Sequence, residues 1–296
     1  MKIGKFALDF VKSFVLKDIK KRRKFYPPRN EFKNYLDIKY LNDDNKHHTY
    51  DIYLADESNR KHCLFIDIHG GAYIFGEHYD NYPYAYVLLK AGFDVALIDY
   101  TPNNGKRSFV DQFNEVVLNI KHLFNHLNEC DLSKDKIVIT GDSAGGHFAL
   151  LLSEILQSKE VREALNIDLP LVDVLATVIA CPVYDFANIG QSMKDSGTKR
   201  MLGPQYKNKE LLNRYSPRTY INQLKSPLFL SSCTNDFIRN QSILLNEDIK
   251  DRGGYQFIDI NSDDKNVDHV HNITKIALKE SIEVNEAIVK FVDNLL

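Results

Sequence analysis

The chain has 296 residues, 44% of them hydrophobic, enough to bury one large α/β core. A formal net charge of −2 gives no electrostatic reason to expect nucleic acid or an anionic membrane as a partner. No apolar run reaches the ~18 residues of a membrane span, and Lys5, Asp9, Lys12 and Lys17 break the N-terminal apolar stretch with no small-residue cleavage site after it, so a cytoplasmic chain is expected.

Residues 3–24 read as an amphipathic helix, with Ile3, Phe6, Ala7, Phe10, Val11, Phe14 and Val15 at helical spacing. The basic run Lys20-Lys21-Arg22-Arg23-Lys24 follows, and Tyr26-Pro27-Pro28 stops the helix. Such a helix fits an interfacial membrane anchor or a cap over a cleft mouth. Strands are predicted at Tyr35–Tyr40 and Tyr50–Leu54, joined by the polar turn Asn42-Asp43-Asp44-Asn45 as an antiparallel hairpin. Six more follow at Cys63–Ile68, Val95–Asp99, Ile137–Thr140, Leu175–Ala180, Leu228–Ser232 and Gln256–Ile260. Helices are expected around Tyr84–Ala91, Phe109–Asn128, Gly146–Gln157, Gln241–Arg252 and Lys275–Asn294. The alternation predicts an eight-stranded, mostly parallel sheet flanked by helices. Residues 183–225 break the alternation and read as a lid. Its Tyr184, Phe186, Met193, Met201, Tyr206 and Tyr215 fit equally a pocket lining and a small core of their own.

Cys63, Cys130, Cys181 and Cys233 are widely spaced with no C-x-x-C, as expected of buried free thiols. His47-His48 lies in a polar turn without matched ligands, so neither a metal nor a cofactor is expected. No interface patch is readable, and a homo-oligomer is left open.

Two motifs carry chemistry. Gly141-Asp142-Ser143-Ala144-Gly145-Gly146 lies between a strand pattern and a helix pattern, the context that a G-x-S-x-G nucleophile elbow requires. A serine hydroxyl must stand clear of the backbone to meet a base, and the cramped turn that lifts it favours flanking residues without a Cβ. Upstream, His69-Gly70-Gly71-Ala72-Tyr73 follows another buried strand. Adjacent glycines there can turn backbone N–H groups toward a developing oxyanion. His69 itself reads as a structural brace of the loop.

The pair HGGAY and GDSAGG resembles the hormone-sensitive-lipase-like branch of the α/β-hydrolase esterases, from about Asn34 to the C-terminus. Asp99-Tyr100 with Pro102, Ser216-Pro217, and Ser226-Pro227-Leu228-Phe229-Leu230 with Asn235-Asp236-Phe237 resemble further family segments. Ala72 replaces the third glycine of the more usual HGGG, and His271 stands where an aromatic often follows the histidine. The resemblance implies an α/β-hydrolase fold with residues 1–33 as an N-terminal cap helix, the reading preferred over the anchor. It implies a catalytic domain over 34–296, with a cap insertion at about 183–225. It also implies Ser143 as nucleophile, with Gly70, Gly71 and Ala144 as oxyanion donors. The acid should follow a late strand and the base a later loop, which gives Asp236 and His269. The alternative for Asp236 is a cap on the helix that begins near Ile238, and its position just past the late strand favours the acid. Asp248 and Asp251 read as solvated, and His271 as a rim or first-turn residue.

The expected function is a serine carboxylesterase that hydrolyses a small-molecule ester through an acyl-enzyme. The short-acyl preference is implied by the resemblance alone. An aryl-formamidase or a carbohydrate deacetylase would use the same three residues. A non-catalytic receptor of this fold is disfavoured, because relatives of that kind typically lack the histidine that His269 supplies here.

Overall fold

A computed structural model describes residues 4–189 and 195–296. Eight strands form one sheet: β1 (Lys33–Lys39), β2 (Thr49–Leu54), β3 (Leu64–Ile68), β4 (Asp94–Ile98), β5 (Ile137–Asp142), β6 (Val174–Ala180), β7 (Leu228–Cys233) and β8 (Tyr255–Ile260). Their order is β1-β2-β4-β3-β5-β6-β7-β8. β2 pairs antiparallel with β1 and with β4, and every pair from β4 to β8 is parallel. Every predicted strand is present, its ends shifted by up to two residues.

Side chains alternate between two apolar layers. In β4, Val95 and Leu97 enter one layer and Ala96 and Ile98 the other. Helices α2 (Tyr82–Lys90) and α11 (Lys279–Asp293) cover the first face with Leu88, Leu89, Val284 and Ile288. Helices α3 (Phe109–His126), α4 (Ser143–Gln157) and α9 (Arg239–Ile249) cover the second with Phe113, Ile120, Phe148, Leu151 and Leu245. Central strands covered on both faces read as continuous apolar runs, which is why they were visible in the sequence. The winding reverses between β3 and β5, where open α/β sheets place their ligand crevice beyond the carboxyl ends of the strands.

Helix α1 (Lys5–Arg22) lies against α7 (Asp195–Leu202). Arg200 Nε donates to Asp9 Oδ1 at 2.9 Å, and Lys12 Nζ donates to the Ile74 carbonyl at 2.6 Å. Leu8 and Ile19 are buried, yet the predicted apolar stripe faces away: Phe6, Phe10 and Phe14 are 89%, 75% and 69% exposed. Helical period is a property of the sequence, whereas the docked face is selected by the polar partners Arg200 and Ile74. Ile3 lies outside the described residues. Among the described residues no helix is long and apolar enough to cross a membrane.

The segment 183–225, expected as a lid, contains α6 (Phe186–Ile189), α7 and α8 (Lys209–Arg214) among its described residues. Tyr184, Phe186, Met201 and Tyr215 are buried in the same layer as Phe113 and Phe148, and Tyr206 is half-buried against it. Their bulk therefore joins the main core; Met193 lies outside the described residues. Two short helices, α5 (Lys159–Leu165) and α10 (His271–Thr274), were not read from the sequence.

Candidate active site

Strand β5 ends at Asp142 and α4 begins at Ser143, whose φ is +53°. A side chain in that left-handed region costs about 1–3 kcal/mol and persists only where the surroundings enforce it. Here the enforcement is close packing against β3. A Cβ on Gly145 would overlap the carbonyl oxygens of Ile68 and His69. One on Gly141 would stand 2.7 Å from the Gly145 carbonyl oxygen and 2.8 Å from that of Ile68. Both glycines are thus required by the neighbouring strand as well as by the turn.

Ser143 Oγ lies 2.9 Å from His269 Nε2, and His269 Nδ1 lies 2.7 Å from Asp236 Oδ1. Donation of Nδ1–H to the carboxylate leaves Nε2 as acceptor for the serine hydroxyl. Asp236 follows β7, and its Oδ1 also accepts the Ile238 N–H at 2.9 Å. The same oxygen therefore bonds both the imidazole and the amide two residues on, but it does not cap α9, whose N-cap is Ile238. Burial opposes a charge on Asp236, but His269, the Ile238 amide and the Cys181 thiol hold its carboxyl below the usual range. Asn235 fixes the loop that carries His269: its Nδ2 lies 3.1 Å from the carbonyl oxygens of Ser262, Asp264 and Val267. Phe237, 74% exposed, stands against the imidazole with ring centroids 4.5 Å apart.

The loop after β3 separates its two glycines. Gly70 N–H donates to Asp142 Oδ1 at 2.9 Å, and a Cβ on Gly70 would overlap that carboxylate. This corrects the assignment of Gly70 as an oxyanion donor, because its only backbone hydrogen is committed to a buried side chain. Gly71, Ala72 and Tyr73 then turn through φ values of +121°, +49° and +63°. Among the described residues the N–H groups of Gly71 and Ala72 have no hydrogen-bond partner. Ala144 sits in the first turn of α4, where N–H groups lack an intrahelical acceptor.

A family profile, BD-FAE, matches residues 50–249, a span holding both glycine motifs, Ser143 and Asp236. The chain belongs to the BD-FAE family. Among solved structures, esterase B from Lactobacillus rhamnosis, inhibited by a tributyrin phosphonate, aligns at TM-score 0.85 and 21% identity, over 97% of this chain and 94% of that one. A truncated carbohydrate esterase from gut microbiota aligns at TM-score 0.68 and 17% identity, over 90% and 99%. A bacterial heroin esterase aligns at TM-score 0.69 and 16% identity, over 99% and 94%. Curated proteins give no match. The BD-FAE chain thus has the α/β-hydrolase fold, in agreement with the resemblance read from HGGAY and GDSAGG.

Several residues around the site carried no readable role in the sequence. Asn81 Nδ2 lies 2.8 Å from both Asp67 Oδ2 and Asp142 Oδ1. Burial and the Asp142 charge push the Asp67 carboxyl up to about 8. Asp99 lies 3.1 Å from His69 Nε2, 2.9 Å from His78 Nδ1 and 3.2 Å from His47 Nδ1. Burial works against its charge, yet the three imidazoles hold it well below the usual range. His69 also stacks on Tyr100, so it braces the glycine loop from beneath. His147 accepts from Tyr73 OH at 3.0 Å and donates to the Tyr215 carbonyl at 2.7 Å, and burial lowers its pKa to about 4. A neutral histidine thereby joins the glycine loop to the lid. His271 is buried 2.9 Å from Ser281 Oγ, so it braces α11 and is not a rim residue. Asp248 is exposed but accepts from Tyr184 OH at 2.9 Å.

All four cysteines are free and buried. Although no ligand spacing is visible in the sequence, the fold assembles two groups whose metal-ligating atoms lie within 4.8 Å of one another: Cys181 with Asp236 and His269, and Asp37 with Asp51 and His78. In the first group His269 Nδ1 already bonds Asp236 Oδ1, and in the second the Asp37 backbone N–H and His78 bond Asp51. A surface hollow of about 370 Å³ along α9 at Arg239, Ile243, Leu244 and Glu247 is lined by none of the three candidates.

Proposed function

We propose that this BD-FAE chain is a serine esterase that hydrolyses small esters through an acyl-enzyme. The observation that carries the proposal is the continuous chain Ser143 Oγ, His269 Nε2, His269 Nδ1, Asp236 Oδ1, with links of 2.9 and 2.7 Å, at the carboxyl ends of the strands. His269 takes the Ser143 proton as the hydroxyl attacks the ester carbonyl, and Asp236 stabilises the imidazolium that forms. The Gly71 and Ala144 N–H groups, with Ala72 as third donor, receive the oxyanion; each such donor is worth roughly 3 kcal/mol of barrier. The imidazolium then protonates the leaving alcohol. Water repeats the sequence on the acyl-enzyme. The described parts of the N-terminal segment 1–33 and of the insertion 183–225 bound the mouth of the site, a reading supported by the Lys12–Ile74 and His147–Tyr215 contacts. Free buried thiols support a cytoplasmic setting.

The test is a panel of nitrophenyl esters from acetyl to decanoyl on the wild type and Ser143→Ala. The expected result is activity that falls with acyl length and a loss of at least about 10³-fold in the alanine variant. Full turnover by Ser143→Ala would remove the nucleophile; a flat length profile would remove the short-acyl preference. A carbohydrate deacetylase is the second reading, supported by the carbohydrate-esterase neighbour. Faster release of acetate from an acetylated xylo-oligosaccharide than from nitrophenyl acetate would favour it.

A further inference from the structure

The −2 charge of the whole chain conceals a segment of opposite sign. Residues 5–25 hold eight Lys or Arg against two Asp, a net of +6. Asp9, Lys12, Arg22 and Arg23 are engaged with the body of the protein or with one another. Lys17, Lys20, Lys21 and Lys24 are exposed, and among the described residues none has an ion-pair partner.

The same helix displays Phe6, Phe10 and Phe14, spaced by four and each more than two-thirds exposed. At 3.6 residues per turn these three rings fall within about 80° of one another, and Lys17, Lys21 and Lys24 continue the same side of the axis. Phe25, 87% exposed, follows the basic turn. Two half-buried contacts, Asp9 with Arg200 and Lys12 with the Ile74 carbonyl, pin the opposite side. The aromatic face is therefore held outward on a docked helix.

Three clustered aromatic rings on one exposed helix face, beside unpaired cations, match a surface that is apolar beneath and anionic above. We infer that α1 docks the protein on anionic lipid, with Phe6, Phe10 and Phe14 entering the acyl boundary and Lys17, Lys20, Lys21 and Lys24 meeting the headgroup charge. The helix lies in the interface plane and does not span it. The inference is independent of the hydrolytic reading, since none of these side chains touches Ser143, His269 or Asp236. Its geometry has one consequence: the docked face is opposite the one that contacts Ile74 and the lid, so docking leaves the esterase mouth uncovered by α1's aromatic side.

The test is flotation of the full chain with vesicles of phosphatidylcholine alone and of equimolar phosphatidylglycerol and phosphatidylcholine. Binding is expected to the anionic vesicles only. It should be released at about 1 M salt, where the Debye length is about 3 Å. Each lysine replaced by glutamine among the four should weaken partitioning about fivefold, so K20Q/K21Q should lose about 25-fold. Phe10→Ser should abolish flotation while melting temperature and turnover of a soluble ester stay unchanged. Because the chain contains no tryptophan, Phe10→Trp adds a single indole, excited apart from the tyrosines at their red edge, whose emission should shift to the blue only with anionic vesicles. Equal binding to both vesicles, or none to either, would overturn the inference. So would a dimer in solution that F6S/F10S/F14S converts to monomer without any vesicle binding, which would assign the face to a second copy.

Discussion

Asp142 is the residue whose removal should separate structural from catalytic roles most clearly. Its Oδ1 accepts from Gly70 N–H at 2.9 Å and lies 2.8 Å from Asn81 Nδ2. Asp142→Ala leaves both donors facing a buried gap. Each buried donor left unpaired costs about 1–3 kcal/mol, so the pair sets a range of roughly 2–6 kcal/mol. Two effects pull toward the low end. Asn81 keeps Asp67, and Asp67 loses the like charge that helps push its carboxyl up to about 8. A loss of about 2–3 kcal/mol is therefore expected. At about 2–4 °C per kcal/mol, the melting temperature should fall by about 5–10 °C.

Catalysis should suffer more than stability. With Gly70 released, the strained turn through Gly71 and Ala72 loses its fixed end, and the Gly71 N–H no longer meets the oxyanion. Loss of one such donor lowers kcat by about 10²–10³, with KM changed little because the ground-state carbonyl scarcely uses it. Melting curves and steady-state hydrolysis of nitrophenyl butyrate measure both. Asp142→Asn keeps an acceptor oxygen and should retain kcat within about tenfold. An alanine variant that melts lower yet turns over at the wild-type rate would refute the reasoning, because Asp142 would then brace the fold without setting the donor.

Asp67 gives a pH signature. Its folded pKa of about 8 lies above the unfolded value near 3.9, so the folded protein holds an extra proton between those values. The stability this provides is complete below about pH 4 and is lost as pH rises through about 8. Asp67→Asn should flatten the decline in denaturation midpoint between pH 5 and pH 8 (roughly the window just given); an unchanged slope would show that another group carries it. Asp236→Asn should lower kcat by about 10³–10⁴ with little loss of stability, because an amide cannot hold the same tautomer of His269. Its Oδ1 equivalent still accepts the Ile238 N–H, so a large fall in melting temperature would mean that bracing of the turn before α9 dominates.

What the sequence carries well is period and spacing. Apolar runs at Cys63–Ile68 and Ile137–Thr140 announce strands because both faces of those strands are covered, and the residues just past their ends announce chemistry because crevices open there. What it carries poorly is reach between segments distant in the chain. Asp99 draws imidazoles from positions 47, 69 and 78, and no spacing of those histidines reveals a shared carboxylate. The outward stripe of α1 is a related case, since its period is local but Arg200 decides which side docks. Gly70 shows where the boundary lies. HGGAY says that backbone donors are near, without saying which hydrogen is free. That depends on strand register. β3 and β5 run parallel with Ile68 opposite Gly141, which sets His69 level with Asp142 and puts the next amide, that of Gly70, within reach of the Asp142 side chain. The carboxylate takes the first N–H of the loop and leaves the second free. Register is thus the non-local quantity that decides which loop amide is committed and which is left free, and it moves the proposed oxyanion site along the loop by a single residue.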